Sequence, residues 1–189
     1  MFNILANSMA PLGRATDTEN TAYTQLISPR LGSRIAVVRA TFTVAATAHT
    51  LTVLRPISLV LTAAAAAKDQ ADLVFAAADV DGWEASDYCA IELEDGTYQL
   101  NTVDSESEGT VTFSADLDKA VKEGARVFYF GDENDDHETA ALTDDSEVSF
   151  ESEYGYFIAN NPGWPVLLHV DNATNASTLE GGVVIYSDI

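Results

Sequence analysis

Apolar and polar residues alternate along most of the chain with the two-residue period that is typical of β-strands. Thr50–Arg55 shows the alternation most clearly, since Leu51 and Val53 fall on one face while Thr50 and Thr52 fall on the other. The segments with alternating or β-branched residues are predicted to be strands: Tyr23–Ser28, Arg34–Val44, Thr50–Arg55, Ser58–Thr62, Asp72–Phe75, Tyr88–Glu94, Thr97–Val103, Thr110–Ser114, Arg126–Phe130, Val148–Phe150, Tyr154–Ala159, Pro165–Val170 and Gly182–Tyr186. Residues 45–49 are predicted to be a hairpin connection between the second and third of these strands.

The alanine-rich stretch at residues 57–67 is open to two interpretations. Its five consecutive alanines are the best helix formers available. The neighbouring segments Ser58–Thr62 and Asp72–Phe75 have the composition of strands, and residues 68–70 have that of a turn. We therefore prefer two strands joined by a turn to a single helix.

The clearest local signal is a hairpin around Asp95–Gly96. This pair separates Tyr88–Glu94 from Thr97–Val103 and supplies the positive φ angles that a tight turn requires. One short helix is also predicted, because Asp116–Glu123 can form about two helical turns before Gly124 ends them.

Together these elements predict an all-β fold with a discontinuous outer domain. Residues 23–56 and 148–189 are predicted to form a β-sandwich-like domain, with residues 58–131 inserted as a small β-barrel. Residues 132–147 are an acidic, turn-rich connection. Residues 1–22 follow neither the helical nor the strand period, and we expect an N-terminal arm that becomes ordered only by docking.

The chain is strongly acidic, and its charge is unevenly distributed. It carries 9 Lys and Arg against 30 Asp and Glu, a formal net charge of −21. Residues 1–68 hold six basic and two acidic residues, a net charge of +4, whereas residues 69–189 hold three and 28, a net charge of −25. A polyanion repels phosphate backbones and anionic lipid surfaces, so neither nucleic acid nor a membrane is an expected partner. A solvated acidic surface explains most of the charge, but the segregation favours a basic segment that faces an acidic partner.

No spacing typical of a catalytic or metal site is present in the sequence. The histidines His49, His137 and His169 lack the separation of a metal-binding pair. The single cysteine, Cys89, excludes an intramolecular disulfide, and in an apolar strand it is expected to behave as a small hydrophobic residue. No cofactor is expected, and an enzyme is the least favoured class of function.

Two further features have both a functional and a structural interpretation. Asp132, Asp135 and Asp136 offer oxygen ligands for Ca²⁺, but their run lacks the glycine and final glutamate of an EF-hand loop, which favours a hydrated surface loop. Trp83 and Trp164 lie near predicted turns, where each is either an exposed platform for a carbohydrate or a core residue.

Four segments carry a recognisable series of short motifs. Arg34–Pro56 ends in His-Thr-Leu-Thr-Val-Leu-Arg-Pro and is followed by the alanine-rich stretch. Asp87–Val103 begins with Asp-Tyr, turns at Asp-Gly-Thr-Tyr and ends with Thr-Val. Gly124–Gly131 follows, and Pro165–Tyr186 contains Asp-Asn-Ala-Thr and Thr-Leu-Glu. In this order the segments resemble the capsid decoration, or cement, proteins of tailed bacteriophages.

The resemblance implies a non-enzymatic virion structural protein that binds the outer surface of a phage capsid and stabilises the shell. It implies the major capsid protein as partner and a homo-oligomer, either a trimer or a dimer, on the capsid surface. The expected localisation is the virion after synthesis in the host cytoplasm, and no basic region precedes the first apolar residues as it would in a secretory signal. The alternative function is a carbohydrate-binding or adhesin module of a phage tail or spike.

The N-terminal third is the predicted contact with the partner. Its arm has apolar residues without a core of their own, and its arginines can pair with carboxylates of an acidic partner. Each arginine could instead meet one of the chain's own acids. The predicted partner-binding residues are Phe2, Ile4, Leu5, Met9, Arg14, Arg30, Arg34 and Arg39.

Overall fold

A computed structural model describes residues 8–12, 23–27, 35–44, 49–132, 137–142, 147–149, 157–158, 161–170 and 179–188, with side chains mainly across residues 52–132. Within these residues the chain forms fifteen strands and one 3₁₀ helix, Ala77–Asp79. The strands are β1 (Ser8–Leu12), β2 (Tyr23–Ile27), β3 (Ile35–Val44), β4 (His49–Leu54), β5 (Ser58–Leu61), β6 (Asp72–Val74), β7 (Tyr88–Glu92), β8 (Tyr98–Ser107), β9 (Thr110–Phe113), β10 (Arg126–Gly131), β11 (His137–Leu142), β12 (Glu147–Ser149), β13 (Phe157–Ile158), β14 (Val166–Val170) and β15 (Leu179–Asp188). The predicted all-β fold is confirmed.

The chain divides into two compact units. The first unit combines residues 1–55 with residues 137–189, and the second unit spans Pro56–Asp136. In sequence, the second unit is therefore inserted between the two parts of the first.

Two segments that were predicted to lie outside the domains contain strands. Within the predicted arm, residues 1–22, β1 pairs antiparallel with β15 along Ser8–Leu12. Within the predicted connection, residues 132–147, β11 pairs antiparallel with β4 from His137 to Leu142. In both cases a partner strand from a distant part of the chain supplies the backbone hydrogen bonds, so a weak local pattern does not prevent strand formation.

The first unit contains two antiparallel sheets. In one sheet the strand order is β1-β15-β3-β12, and β13 also pairs with β3. In the other sheet the order is β11-β4-β14-β2. The consecutive strands β3 and β4 therefore belong to different sheets, and the predicted hairpin between them at residues 45–49 is wrong. The two edges of β4 pair with β11 and β14, whereas β3 pairs with β15, β12 and β13 in the other sheet.

The second unit is a six-stranded antiparallel sheet that curls around its own core. The strand order is β5-β10-β7-β8-β9-β6. Directly after β5, the Ala63 N–H donates a 2.7 Å hydrogen bond to the Val74 carbonyl of β6, which brings the two ends of the sheet together. The enclosed core consists of Val60, Leu73, Phe75, Val80, Trp83, Cys89, Ile91, Leu93, Val103, Val111, Phe113, Leu117, Val121, Ala125 and Val127.

The predicted hairpin forms between β7 and β8. Leu93 donates its N–H to the Thr97 carbonyl at 2.8 Å, and Gly96 has the positive φ of 80° that the turn requires. The Asp95 carboxylate accepts hydrogen bonds from the backbone and the hydroxyl of Thr97 and contacts the Lys119 ammonium. These contacts, with Lys119 the strongest, hold the pKa of Asp95 far below its usual value.

The helix predicted at Asp116–Glu123 is wrong. Leu117 donates its N–H to the Gln70 carbonyl, and Val121 exchanges two 2.9 Å hydrogen bonds with Ala66 in an antiparallel bridge. Both side chains are buried in the core of the second unit. These long-range contacts outweigh the preference of two isolated helical turns, which are too short to be stable alone. The same bridge shows that the alanine-rich stretch is not a helix.

Gly109 occupies a tight turn between β8 and β9, where we expect a substitution to be costly. Its φ is +87°, and an added Cβ would lie 2.7 Å from the Phe75 carbonyl oxygen. Gly109→Ala is expected to lower the free energy of unfolding by about 2–4 kcal/mol, as measured by urea denaturation. Gly82→Ala is the matched control, because Gly82 has a φ of +89° but an added Cβ would meet nothing within 4 Å. Equal losses in the two variants would contradict the steric explanation.

Candidate functional site

The structure describes the backbone of two of the eight predicted partner-binding residues. Met9 lies in β1 opposite Ile185 of β15, and Arg39 lies in β3 opposite the same residue. Ser149 of β12 continues this row beside Arg39. Met9 and Arg39 are thus two strands apart in one row of a sheet, an arrangement that their separation in sequence did not predict. The others, Phe2, Ile4, Leu5, Arg14, Arg30 and Arg34, lie outside the described residues.

The histidines and the cysteine occupy positions in the sheets. His49 and His137 lie in the neighbouring strands β4 and β11, and His169 of β14 is buried beside Thr52. Cys89 is fully buried, and burial, together with the nearby Asp87 charge, raises the pKa of its thiol well above the usual value. The thiol is therefore protonated at neutral pH, unlike a catalytic cysteine.

The described residues contain no group of three or more His, Cys, Asp and Glu side chains that could hold a metal ion. Of the three aspartates considered as calcium ligands, Asp132 is described, whereas Asp135 and Asp136 lie outside the described residues.

Trp83 belongs to a buried aromatic and polar network. Its ring stacks on that of Tyr129 at 4.5 Å with an interplanar angle of 7°, and it also contacts Phe75. The Tyr129 hydroxyl and the Glu84 N–H each donate a 2.6 Å hydrogen bond to Oδ2 of the buried Asp87. Trp83 is therefore a core residue rather than an exposed carbohydrate platform. Trp164 is half-buried.

An ordered ion pair lies on the outer side of the curled sheet. Arg126 donates from Nε and Nη2 to the two oxygens of Glu92 at 3.0 and 3.2 Å, and its guanidinium lies 5.8 Å from the centre of the Tyr98 ring. The Arg126 hydrogen bonds lower the pKa of Glu92, and Glu92 raises that of Arg126. This bidentate pair connects β7 to β10.

Two shallow, acidic depressions lie on the described surface of the second unit. One, of about 410 Å³, lies between the β7–β8 turn and residues 122–125, and its lining includes Glu92, Asp95 and Lys122. A second, of about 340 Å³, is lined by Ala77, Ala78, Asp81, Glu106 and Glu108. Neither lining contains a histidine, cysteine or serine, so neither brings a nucleophile of these types together with a histidine base.

The surface of the second unit also exposes large apolar side chains, which the sequence analysis did not assign to a site. These are Ile57, Leu59 and Leu61 at β5 and Val74 of β6. Their signal in the sequence is the two-residue spacing of the first three. That spacing shows that they share a face, but it does not show whether the face is buried.

No protein-family model matches this chain, and a search of curated proteins finds no match. In the part of the chain that the structure describes, no helix has the length and hydropathy needed to cross a membrane. Any functional assignment therefore depends on the sequence motifs and on the geometry above.

The Glu92–Arg126 pair predicts a specific dependence of stability on pH. Because the pKa of Glu92 is lowered in the folded state, its ionisation stabilises the fold above the unfolded pKa of about 4.3, and this stabilisation is lost as the pH falls through the folded pKa. Glu92→Gln is expected to be less stable than the unchanged protein by about 1 kcal/mol at pH 7, with the difference disappearing in acid. Urea denaturation at a series of pH values measures this. The control is Glu94→Gln, at an exposed neighbouring position, and a pH-independent difference for Glu92→Gln would contradict the prediction.

Proposed function

We propose that this protein is a virion structural protein that binds the outer surface of a tailed-phage capsid and stabilises the shell. The observation that carries the proposal is that the motif residues make structural contacts within the fold. In the decoration-like segment Asp87–Val103, Asp87 fixes a turn and holds Tyr129, while Asp95 and Thr97 form the hairpin turn. Residues that resemble a family motif thus make the contacts that build the fold, as is expected of a protein whose function is adhesion.

Binding alone is sufficient for such a protein to stabilise a shell. A protein that binds the assembled lattice, but not free capsid subunits, shifts the assembly equilibrium toward the lattice. If the copies are joined as a homo-oligomer and bind neighbouring capsid subunits, each oligomer is attached at several points, which strengthens its binding to the shell.

The alternative, a carbohydrate-binding or adhesin module of a tail or spike, receives less support. Trp83, one of its two candidate platforms, is buried against Tyr129 and Phe75. Aromatic platforms for sugars need an accessible ring face, which Trp83 does not offer.

The proposal predicts saturable binding to assembled capsids. Purified protein is mixed with expanded, undecorated capsids of the phage that encodes it, and with unassembled major capsid protein as the control. We expect co-sedimentation with the capsids, none with free subunits, and a higher temperature of capsid disruption when the protein is bound. Absence of co-sedimentation at saturating protein concentration would overturn the proposal, and binding to a glycan array instead would favour the adhesin alternative.

The predicted contribution of the basic third can be tested separately by charge reversal. Arg30→Glu and Arg34→Glu are each expected to weaken capsid binding by about tenfold or more, because a favourable charge pair becomes a repulsive one. Lys122→Glu is the matched control, because Lys122 is exposed and lies outside residues 1–68. Circular dichroism checks that each variant is folded. If both arginine variants bind as the Lys122 control does, the basic third is not the contact.

A further inference from the structure

The sequence contains two Asp–Gly pairs, Asp81–Gly82 and Asp95–Gly96, and both lie in exposed turns of the second unit. Asp–Gly pairs are chemically reactive, because glycine has no Cβ to hinder the approach of its nitrogen to the aspartate side chain. Both glycines have a positive φ, 89° at Gly82 and 80° at Gly96. Composition and glycine conformation therefore do not distinguish the two pairs, whereas their hydrogen bonds do.

The Asp95–Gly96 pair has both of its reactive groups engaged. The Gly96 N–H donates a 2.9 Å hydrogen bond to the Leu93 carbonyl. The Asp95 carboxylate accepts from the Thr97 N–H at 3.1 Å and from the Thr97 hydroxyl at 2.6 Å, and it contacts the Lys119 ammonium. Lys119 and Thr97 lower the pKa of Asp95, so this carboxyl stays ionised and lacks the proton that its oxygen needs to leave as water.

The Asp81–Gly82 pair lacks these contacts. Across the described part of the chain, neither the Asp81 carboxylate nor the Gly82 N–H has a hydrogen-bond or ion-pair partner. An added Cβ at Gly82 would meet nothing within 4 Å, so the space around its backbone is open. Asp81 also lines the shallow depression of about 340 Å³, where water can reach it. The nucleophile, the electrophile and water are therefore all accessible at this pair.

We propose that Asp81–Gly82 is a site of spontaneous isoaspartate formation, and that the contacts of Asp95 and Gly96 protect the second pair from the same reaction. The Gly82 nitrogen attacks Cγ of the protonated Asp81 carboxyl and forms an N–Cγ bond, while the amide proton and the carboxyl hydroxyl leave as water. Water then opens the resulting succinimide ring. Opening at the former side-chain carbonyl restores aspartate, and opening at the former main-chain carbonyl gives isoaspartate. No other reactant is required.

Isoaspartate would lengthen a turn whose two ends are fixed in the core. The product has one additional carbon in its main chain, because the chain then runs through the former side chain of Asp81. The Trp83 N–H donates to the Val80 carbonyl at 3.1 Å across this turn, and both of these side chains are buried. The Trp83 ring also stacks on Tyr129. Isomerisation is therefore expected to disturb these contacts and to lower the urea concentration at which the isomerised fraction unfolds.

Peptide mapping of the full-length protein, after incubation in mildly acidic buffer, measures the reaction at each pair. Fragmentation by electron transfer distinguishes isoaspartate from aspartate, and an isoaspartyl methyltransferase with labelled S-adenosylmethionine measures the total. We expect isoaspartate to accumulate about tenfold faster, or more, at Asp81 than at Asp95. In denaturing urea the two rates are expected to be similar, because both pairs are Asp–Gly and the protecting contacts are lost.

Substitutions test the two pairs separately. Asp81→Glu is expected to remove most of the isoaspartate from the folded protein, because the longer side chain does not close the favourable succinimide ring. Asp95→Glu is the matched control and is expected to leave the total unchanged. Lys119→Ala removes one protecting contact, so it is expected to raise the rate at Asp95 by about threefold or more without changing the rate at Asp81.

Equal rates at Asp81 and Asp95 in the folded protein would overturn the proposal, because the hydrogen bonds would then not control the reaction. Absence of isoaspartate at Asp81 in the folded protein, when the protein in urea forms it at both pairs, would also overturn it. None of these measurements uses capsids, so their outcome is independent of the proposed function.

Discussion

The second unit can enclose a core only because residues 62–66 bring the two ends of its sheet together. Six short strands in a twisted sheet would otherwise leave both edges open. Here Ala63 bonds to Val74 of the opposite edge strand, and Ala66 exchanges two backbone hydrogen bonds with Val121. The buried Thr62 hydroxyl adds two more, donating to the Lys122 carbonyl at 2.7 Å and accepting from the Ala125 N–H at 3.0 Å. Alanine is suited to this crossing because its methyl group allows neighbouring backbones to approach closely.

Incomplete closure explains why an exposed edge remains. The contact between the two edges begins at Ala63, so among the described strands the chain before it, including Leu59 and Leu61, pairs with β10 alone. The inner positions of β5 contribute to the core through Val60, while the alternate positions stay exposed. The same backbone alternation that buries Val60 thus presents the two leucines at the surface.

The sequence was sufficient to predict the structure wherever the deciding interaction is local. Alternation located most strands, and Asp95–Gly96 located the turn of the β7–β8 hairpin, because positive φ and strand period are properties of neighbouring residues. The errors share one cause. Asp116–Glu123 has helical composition, but Val121 bonds to Ala66, more than fifty positions earlier. Residues 45–49 look like a hairpin, but β3 pairs with β15 from the other end of the chain. Local composition does not encode these long-range partners.

The candidate surfaces illustrate the same limit. The motif residue Asp87 was visible in the sequence, but its bond to the Tyr129 hydroxyl, which makes it structural, joins two strands that only the fold brings together. Likewise, the spacing of Ile57, Leu59 and Leu61 predicts a shared face. Their exposure depends on the fold, because β6 contacts the chain only from Ala63, after the end of β5. Periodicity identifies which residues act together, and only the topology decides whether they form a core or a surface.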